Sequence, residues 1–153
     1  RVIIRGMDIN GLYTTGNSTH GVNILGAGIV LIENCTINGF VNAASGNGIN
    51  VSPTVDSVKV IVQNCRISNC TKGVNVTPTG NIIAEINVLN VLIGMNSVGV
   101  NSTGTGATVR LSNSSIVNNA TSVSASTGKI ISFGNNIIAG NITNNPITVM
   151  SQL

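Results

Sequence analysis

The sequence predicts an all-β fold: one parallel β-solenoid of about six coils, with three parallel sheets around a single hydrophobic core. Three observations predict it. An apolar strand ending in Asn recurs along the chain. A short Gly-aliphatic-Asn-aliphatic segment recurs between its copies. The composition is that of short strands broken by tight turns: 42% hydrophobic, only 7% charged and 2% aromatic, with 18 glycines in 153 residues. Val and Ile must therefore fill the interior, while Asn, Ser, Thr and Gly supply turns and surface.

The first anchor reads Val30-Leu31-Ile32-Glu33-Asn34-Cys35-Thr36-Ile37 and again Val60-Ile61-Val62-Gln63-Asn64-Cys65-Arg66-Ile67. Further copies place the turn residue at Asn90, Asn113 and Asn135, and Gly6 takes that place in the first coil. Asn suits such a turn because it tolerates unusual backbone dihedrals. Stacked amides also hydrogen-bond from coil to coil, so this column reads as structural.

The second anchor reads Gly21-Val22-Asn23-Ile24, Gly48-Ile49-Asn50-Val51 and Gly73-Val74-Asn75-Val76. Weaker copies are Gly99-Val100-Asn101-Ser102, Ser122-Val123-Ser124-Ala125 and Pro146-Ile147-Thr148-Val149. The two anchors count the same coils independently. Helices are excluded by the abundance of Gly and β-branched residues and by a local apolar period of two. No leucine-rich-repeat pattern is present.

Stacking the coils predicts ladders of side chains. Val58, Val60 and Val62 point inward, over Val30 and Ile32 on one side and Ile86 and Val88 on the other. After the turn comes the inward column Ile9, Ile37, Ile67, Ile93, Ile116, Ile138. The third inward set is Val22/Ile24, Ile49/Val51, Val74/Val76, Val100, Val123 and Ile147/Val149. Cys35 and Cys65 share an inward position with Met7 and Val91, and Cys70 aligns with Leu12, Phe40 and Ile142. All three cysteines read as small buried hydrophobes. A Cys35–Cys65 disulfide is allowed by Cα separation but disfavoured by the torsion of stacked parallel side chains.

This coil pattern resembles the pectate-lyase-like superfamily of right-handed parallel β-helices, and most closely the bacterial right-handed β-helix repeat proteins. The resemblance covers essentially the whole chain, 1–153, read as one domain and as a segment of a longer solenoid. It implies the right hand of the coil, in line with the general rule for parallel crossovers. It also implies an extracellular or cell-surface location. The shared motif, strand–Asn–turn–Ile followed by Gly-Ile-Asn-Val, carries no chemistry.

Members of that superfamily that cleave acidic polysaccharides use clustered carboxylates, often with calcium. Here the only acids are Asp8, Glu33, Asp56 and Glu85. The ladders put Glu33 beside Arg5, and Glu85 between Lys59 and Arg110, as exposed cross-strand pairs. No two acids converge, so no acid/base pair and no calcium site is expected. His20 is the sole histidine and lacks both a second ligand and an orienting acid. No catalytic residue, cofactor or metal is therefore expected. Asn-X-Ser/Thr triplets at Asn17, Asn34, Asn50, Asn69, Asn75, Asn101, Asn113, Asn119 and Asn141 follow from a composition rich in those residues.

The net charge is +3, without a Lys/Arg run, so nucleic acid is not an expected partner. No stretch of about 20 apolar residues predicts a membrane span. Two functional readings stand. One is a non-catalytic structural or surface-display module that associates through open solenoid ends. The other is a carbohydrate-binding module, or the non-catalytic remnant of a polysaccharide lyase or hydrolase. The second would use an outward polar row, Asn23, Asn50, Asn75, Asn101, Ser124 and Thr148, to meet a polysaccharide. Against it, Tyr13, Phe40 and Phe133 are the only aromatics on which a sugar can stack.

Overall fold

The structure, a computed structural model, describes residues 1–16, 20–26, 28–143 and 147–150. Strands are numbered in chain order. The first sheet contains β1 (Val2–Arg5), β4 (Ile29–Glu33), β7 (Val58–Gln63), β10 (Ala84–Leu89), β13 (Ala107–Ser112), β16 (Lys129–Phe133) and β19 (Thr148–Met150). The second contains β2 (Asp8–Asn10), β5 (Thr36–Asn38), β8 (Arg66–Ser68), β11 (Leu92–Gly94), β14 (Ser115–Val117) and β17 (Ile137–Ile138). The third contains β3 (His20–Ile24), β6 (Asn47–Val51), β9 (Lys72–Val76), β12 (Val98–Thr103), β15 (Thr121–Ser126) and β18 (Asn141–Thr143). Every neighbouring pair is parallel, and the chain winds about five turns of a β-solenoid, close to the coil count expected.

Alternation along each strand sends every second side chain to the interior. In the first sheet Val30, Val60, Ile86, Val109 and Ile130 stack in register, as do Ile32, Val62, Val88, Leu111 and Ser132. In the second sheet Ile37, Ile67, Ile93 and Ile116 are fully buried, and Ile9 and Ile138 at the two ends are partly so. In the third sheet Val22, Ile49, Val74, Val100 and Val123 form a buried column. A strand-to-strand rise of about 4.8 Å brings branched aliphatics in neighbouring coils into contact.

The corner after the first sheet bends through one left-handed residue per coil. Gly6, Asn34, Asn64, Asn90 and Asn113 have φ of 66°, 53°, 53°, 54° and 48°. Asn135 departs from the expected turn role. Its φ is not positive; instead its Oδ1 accepts the Asn113 N–H at 2.9 Å, so it continues the column through its side chain. A second left-handed corner, between the second and third sheets, was not expected. It uses Gly39, Asn69, Met95 and Asn118, with φ of 79°, 53°, 59° and 57°. Gly and Asn suit that geometry, but Met95 shows that stacking can impose it on a less suited residue.

The recurring Gly of the second anchor has a steric cause. A Cβ on Gly48 would lie 2.8 Å from the Gly73 carbonyl oxygen and 2.7 Å from Ile67 Cγ2. A Cβ on Gly73 would meet Gly99 and Ile93 in the same way. In β3, β6, β9 and β12 the isoleucine column of the second sheet thus occupies the space that a glycine leaves open. Ser122 holds the slot in β15, fully buried, with its hydroxyl donating to the Ala139 carbonyl.

The last coil corrects the expected register. The repeat pattern places Ile147, Thr148 and Val149 in the third sheet. The third sheet instead ends on β18, where Thr143 pairs with Ser124 and Ile142 with Val123. β19 returns to the first sheet, with Thr148 opposite Ile131 and Val149 opposite Ser132. The coils shorten toward this end, so the third strand falls at Asn141–Thr143, and the next apolar segment starts a seventh strand of the first sheet. Ile142 is consequently half exposed and not aligned with Cys70. The column of Cys70 continues through Asn96, whose Oδ1 accepts the Cys70 N–H at 2.9 Å, and Asn119, whose Oδ1 accepts the Asn96 N–H at 2.9 Å. Pro146 and Asn17 lie outside the described residues.

Candidate functional site

The outward polar row begins where alternation in β3, β6, β9 and β12 turns an Asn away from the core. Asn50 Nδ2 donates to Asn23 Oδ1 at 2.9 Å, Asn75 Nδ2 to Asn50 Oδ1 at 2.7 Å, and Asn101 Nδ2 to Asn75 Oδ1 at 2.8 Å. The register Asn23↔Asn50↔Asn75↔Asn101↔Ser124 is continuous. Thr148 is not part of it; Thr143 follows Ser124. The amides therefore bond to each other, and Asn50 and Asn75 are only 6% and 5% exposed. Along the row Asn23 and Thr143 at the two ends are exposed, and Asn101 and Ser124 are half-buried.

Beside this ladder Asn47 Nδ2 donates to Asn50 Oδ1 at 3.2 Å and lies 3.2 Å from His20 Nδ1. A neutral imidazole accepts that contact and an imidazolium cannot. Burial lowers the His20 pKa below its ordinary value, partly opposed by the Ser45 backbone. Lys72 is the next residue in that register. No carboxylate pairs with His20 among the described residues.

The acids stay apart. Glu33 takes the Arg5 guanidinium and also the Gln63 amide, Nε2 to Oε2 at 2.8 Å. It was expected as an exposed pair but is 8% exposed, because these two neighbours cover it. Its carboxyl pKa is lowered, first by the Gln63 hydrogen bond and then by Arg5. Glu85 lies 4.0 Å from Lys59, its partner in register, and binds Arg110 at 3.1 Å diagonally, since Thr108 is the residue opposite it in β13. Asp8 and Asp56 are exposed on different coils. Among the described residues no group of three or more His, Cys, Asp or Glu side chains could hold a metal ion.

A groove of about 580 Å³ runs along the Asn corner, where the sequence pattern predicts only a turn. It is lined by Asn34, Cys35, Thr36, Asn64, Cys65, Arg66, Asn90, Val91, Leu92, Asn113 and Ser115. Asn90 Nδ2 donates to Asn64 Oδ1 at 2.7 Å, and Asn113 reaches Asn90 at 3.5 Å. Arg66 carries no ion pair among the described residues. The outward positions of β5, β8, β11 and β14 supply the second wall: Thr36, Arg66 and Ser115 are polar, and Leu92 between them is an exposed aliphatic. The three cysteines are buried free thiols. Burial pushes the Cys65 thiol up, and that of Cys70 to about 11.

Among the described residues no helix is long and apolar enough to cross a membrane. No protein-family model, no curated protein and no solved structure matches this chain.

Proposed function

We propose that this chain is a non-catalytic structural module of an extracellular or cell-surface right-handed parallel β-helix, of the pectate-lyase-like kind, and that it associates through its solenoid ends. The observation that carries this reading is the open face formed by β1, β2 and β3. Each is the outermost strand of its sheet, so one edge of each has no strand partner among the described residues. The face exposes apolar surface beside the charges of Arg1, Arg5 and Asp8: Val2, Ile3 and Leu25 are 46%, 49% and 55% exposed. A recess of about 150 Å³ there is bounded by Val2, Ile4, Val22, Asn23, Ile24, Leu25, Gly26 and Val30. Exposed apolar surface costs about 25 cal/mol per Å². Edge strands of this kind template further pairing unless charge, proline or a covering segment blunts them. At the other end Val149 and Ile142 are 70% and 51% exposed. A second copy stacked head to tail continues the parallel ladders and the Asn column, a contact that does not close on itself.

Light scattering across a concentration series of the 153-residue chain tests this. Dimers or longer stacks should grow with concentration. A strictly monomeric species at the highest concentration removes the reading.

A second reading, binding of a polysaccharide chain, is favoured by the groove at the Asn corner more than by the outward row. Thr36 and Arg66 stand there on adjacent coils, with Ser115 beyond Leu92 and amides on the facing wall.

A further inference from the structure

Two cysteines stand one above the other at the Asn corner, each directly after a left-handed Asn. The register Thr36↔Arg66 places Cys35 opposite Cys65 on adjacent coils. The Cys35 N–H donates to Cys65 Sγ at 3.4 Å. Cys35 Sγ donates to the Glu33 carbonyl oxygen at 3.3 Å, and Cys65 Sγ to that of Gln63 at 3.2 Å. We propose that Cys35 and Cys65 together bind one soft, two-coordinate metal ion of the copper(I), silver(I) or mercury(II) kind.

Spacing decides between the two things a pair of thiols can do. Side chains stacked in register are separated by one coil step, about 4.8 Å. A disulfide needs the Cβ atoms about 3.5–4.5 Å apart and a torsion near 90°. Two metal–thiolate bonds of about 2.3 Å, set in line, span about 4.6 Å and match the coil step. Coordination number then selects the metal. Zinc takes four ligands, and no third His, Cys, Asp or Glu joins this pair among the described residues. Soft thiolates favour copper(I)-type ions, which accept two.

Binding breaks both S–H bonds and forms two S–metal bonds, and two protons pass to solvent. With mercury(II) the loaded centre is neutral, the charge state that a buried site tolerates best. Entry does not require crossing the core, since both cysteines line the corner groove.

The experiment uses the reduced full chain with mercury(II) and an excess of a monothiol, so that only a two-thiol chelate retains the ion. Native mass spectrometry should show one ion per chain and two protons lost, with retention rising with pH. Cys35→Val and Cys65→Val should each weaken retention at least 100-fold. Val91 occupies the same column one coil on, buried, so valine fits there, and circular dichroism checks the fold. Cys70→Ala should change nothing. In the unsubstituted chain, metal should protect Cys35 and Cys65 from alkylation, but not Cys70. Zinc should not be retained. Failure to retain mercury, retention indifferent to both valine variants, equal loss with Cys70→Ala, or formation of a Cys35–Cys65 disulfide in place of uptake overturns the proposal.

Discussion

Asparagine meets two different demands in this molecule. At Asn34, Asn64, Asn90 and Asn113 the backbone is left-handed, a conformation that Asn adopts at low cost. At Asn50 and Asn75 the backbone is an ordinary strand, and the side-chain amide matters, donating to one coil and accepting from the next. The second ladder is tied to the only titrating imidazole, through Asn47. Because the folded state lowers the His20 pKa, it binds that proton more weakly than the unfolded chain does. Stability should therefore fall as pH drops below about 7 through the ordinary histidine value, and level off below the folded value. Urea midpoints at pH 7.5 and 5.5 should differ for the natural sequence and converge in His20→Gln. Glu33 has a separate window: its lowered pKa favours the fold above the ordinary carboxyl range, and that contribution is lost at more acid pH. Equal midpoints for the natural sequence at pH 7.5 and 5.5 would sink the His20 account.

At the scale of the element, each coil is closed by a match between two columns in different sheets. The isoleucine methyl of β5, β8, β11 or β14 fills the place above a glycine of β3, β6, β9 or β12. Gly73→Ala tests the match. Its new methyl would sit 2.7 Å from the Gly99 oxygen and 2.8 Å from Ile93 Cγ2, and one of these contacts is backbone. The expected loss is roughly 1–3 kcal/mol, the range for overpacking a close-packed interior. Denaturant unfolding of the variant measures it directly, and an unchanged midpoint would mean that neighbouring coils slide apart freely. Alanine at Gly16, which faces open space, serves as the control.

For the whole molecule, stability is a sum over neighbouring coils, because each coil touches only the coils on either side. Interior coils have two such neighbours and the outermost have one. Burial follows: Val60, Ile67 and Val74 are fully covered, whereas Ile137, Ile142 and Val149 are at least half exposed. Amide hydrogen exchange should be slowest in β7, β8 and β9 and fastest in β17, β18 and β19. Uniform protection along the axis would contradict this, and would indicate that the ends are covered in solution. The same exposed ends underlie the proposed stacking, so exchange at β1 and β19 should slow as concentration rises.

Coil identity, the three aliphatic columns and the Glu85 ion pairs were legible in the sequence because each depends on short repeats and strict alternation. The Asn corner was legible for a related reason, since a left-handed turn selects among very few residues. Other features were not. The second corner runs through Met95, where stacking overrides local preference. The last register was misread at Thr148, because a shortened coil moves a strand from one sheet to the next without changing its alternation. The covering of Glu33 and the groove beside Asn64 arise from residues about 25 to 30 positions apart meeting across a coil step. Local pattern determined which side chains face the core. Only the winding of the tertiary structure decided what the outward ones meet, because coil lengths vary and the stacking partner of a surface residue depends on their running sum.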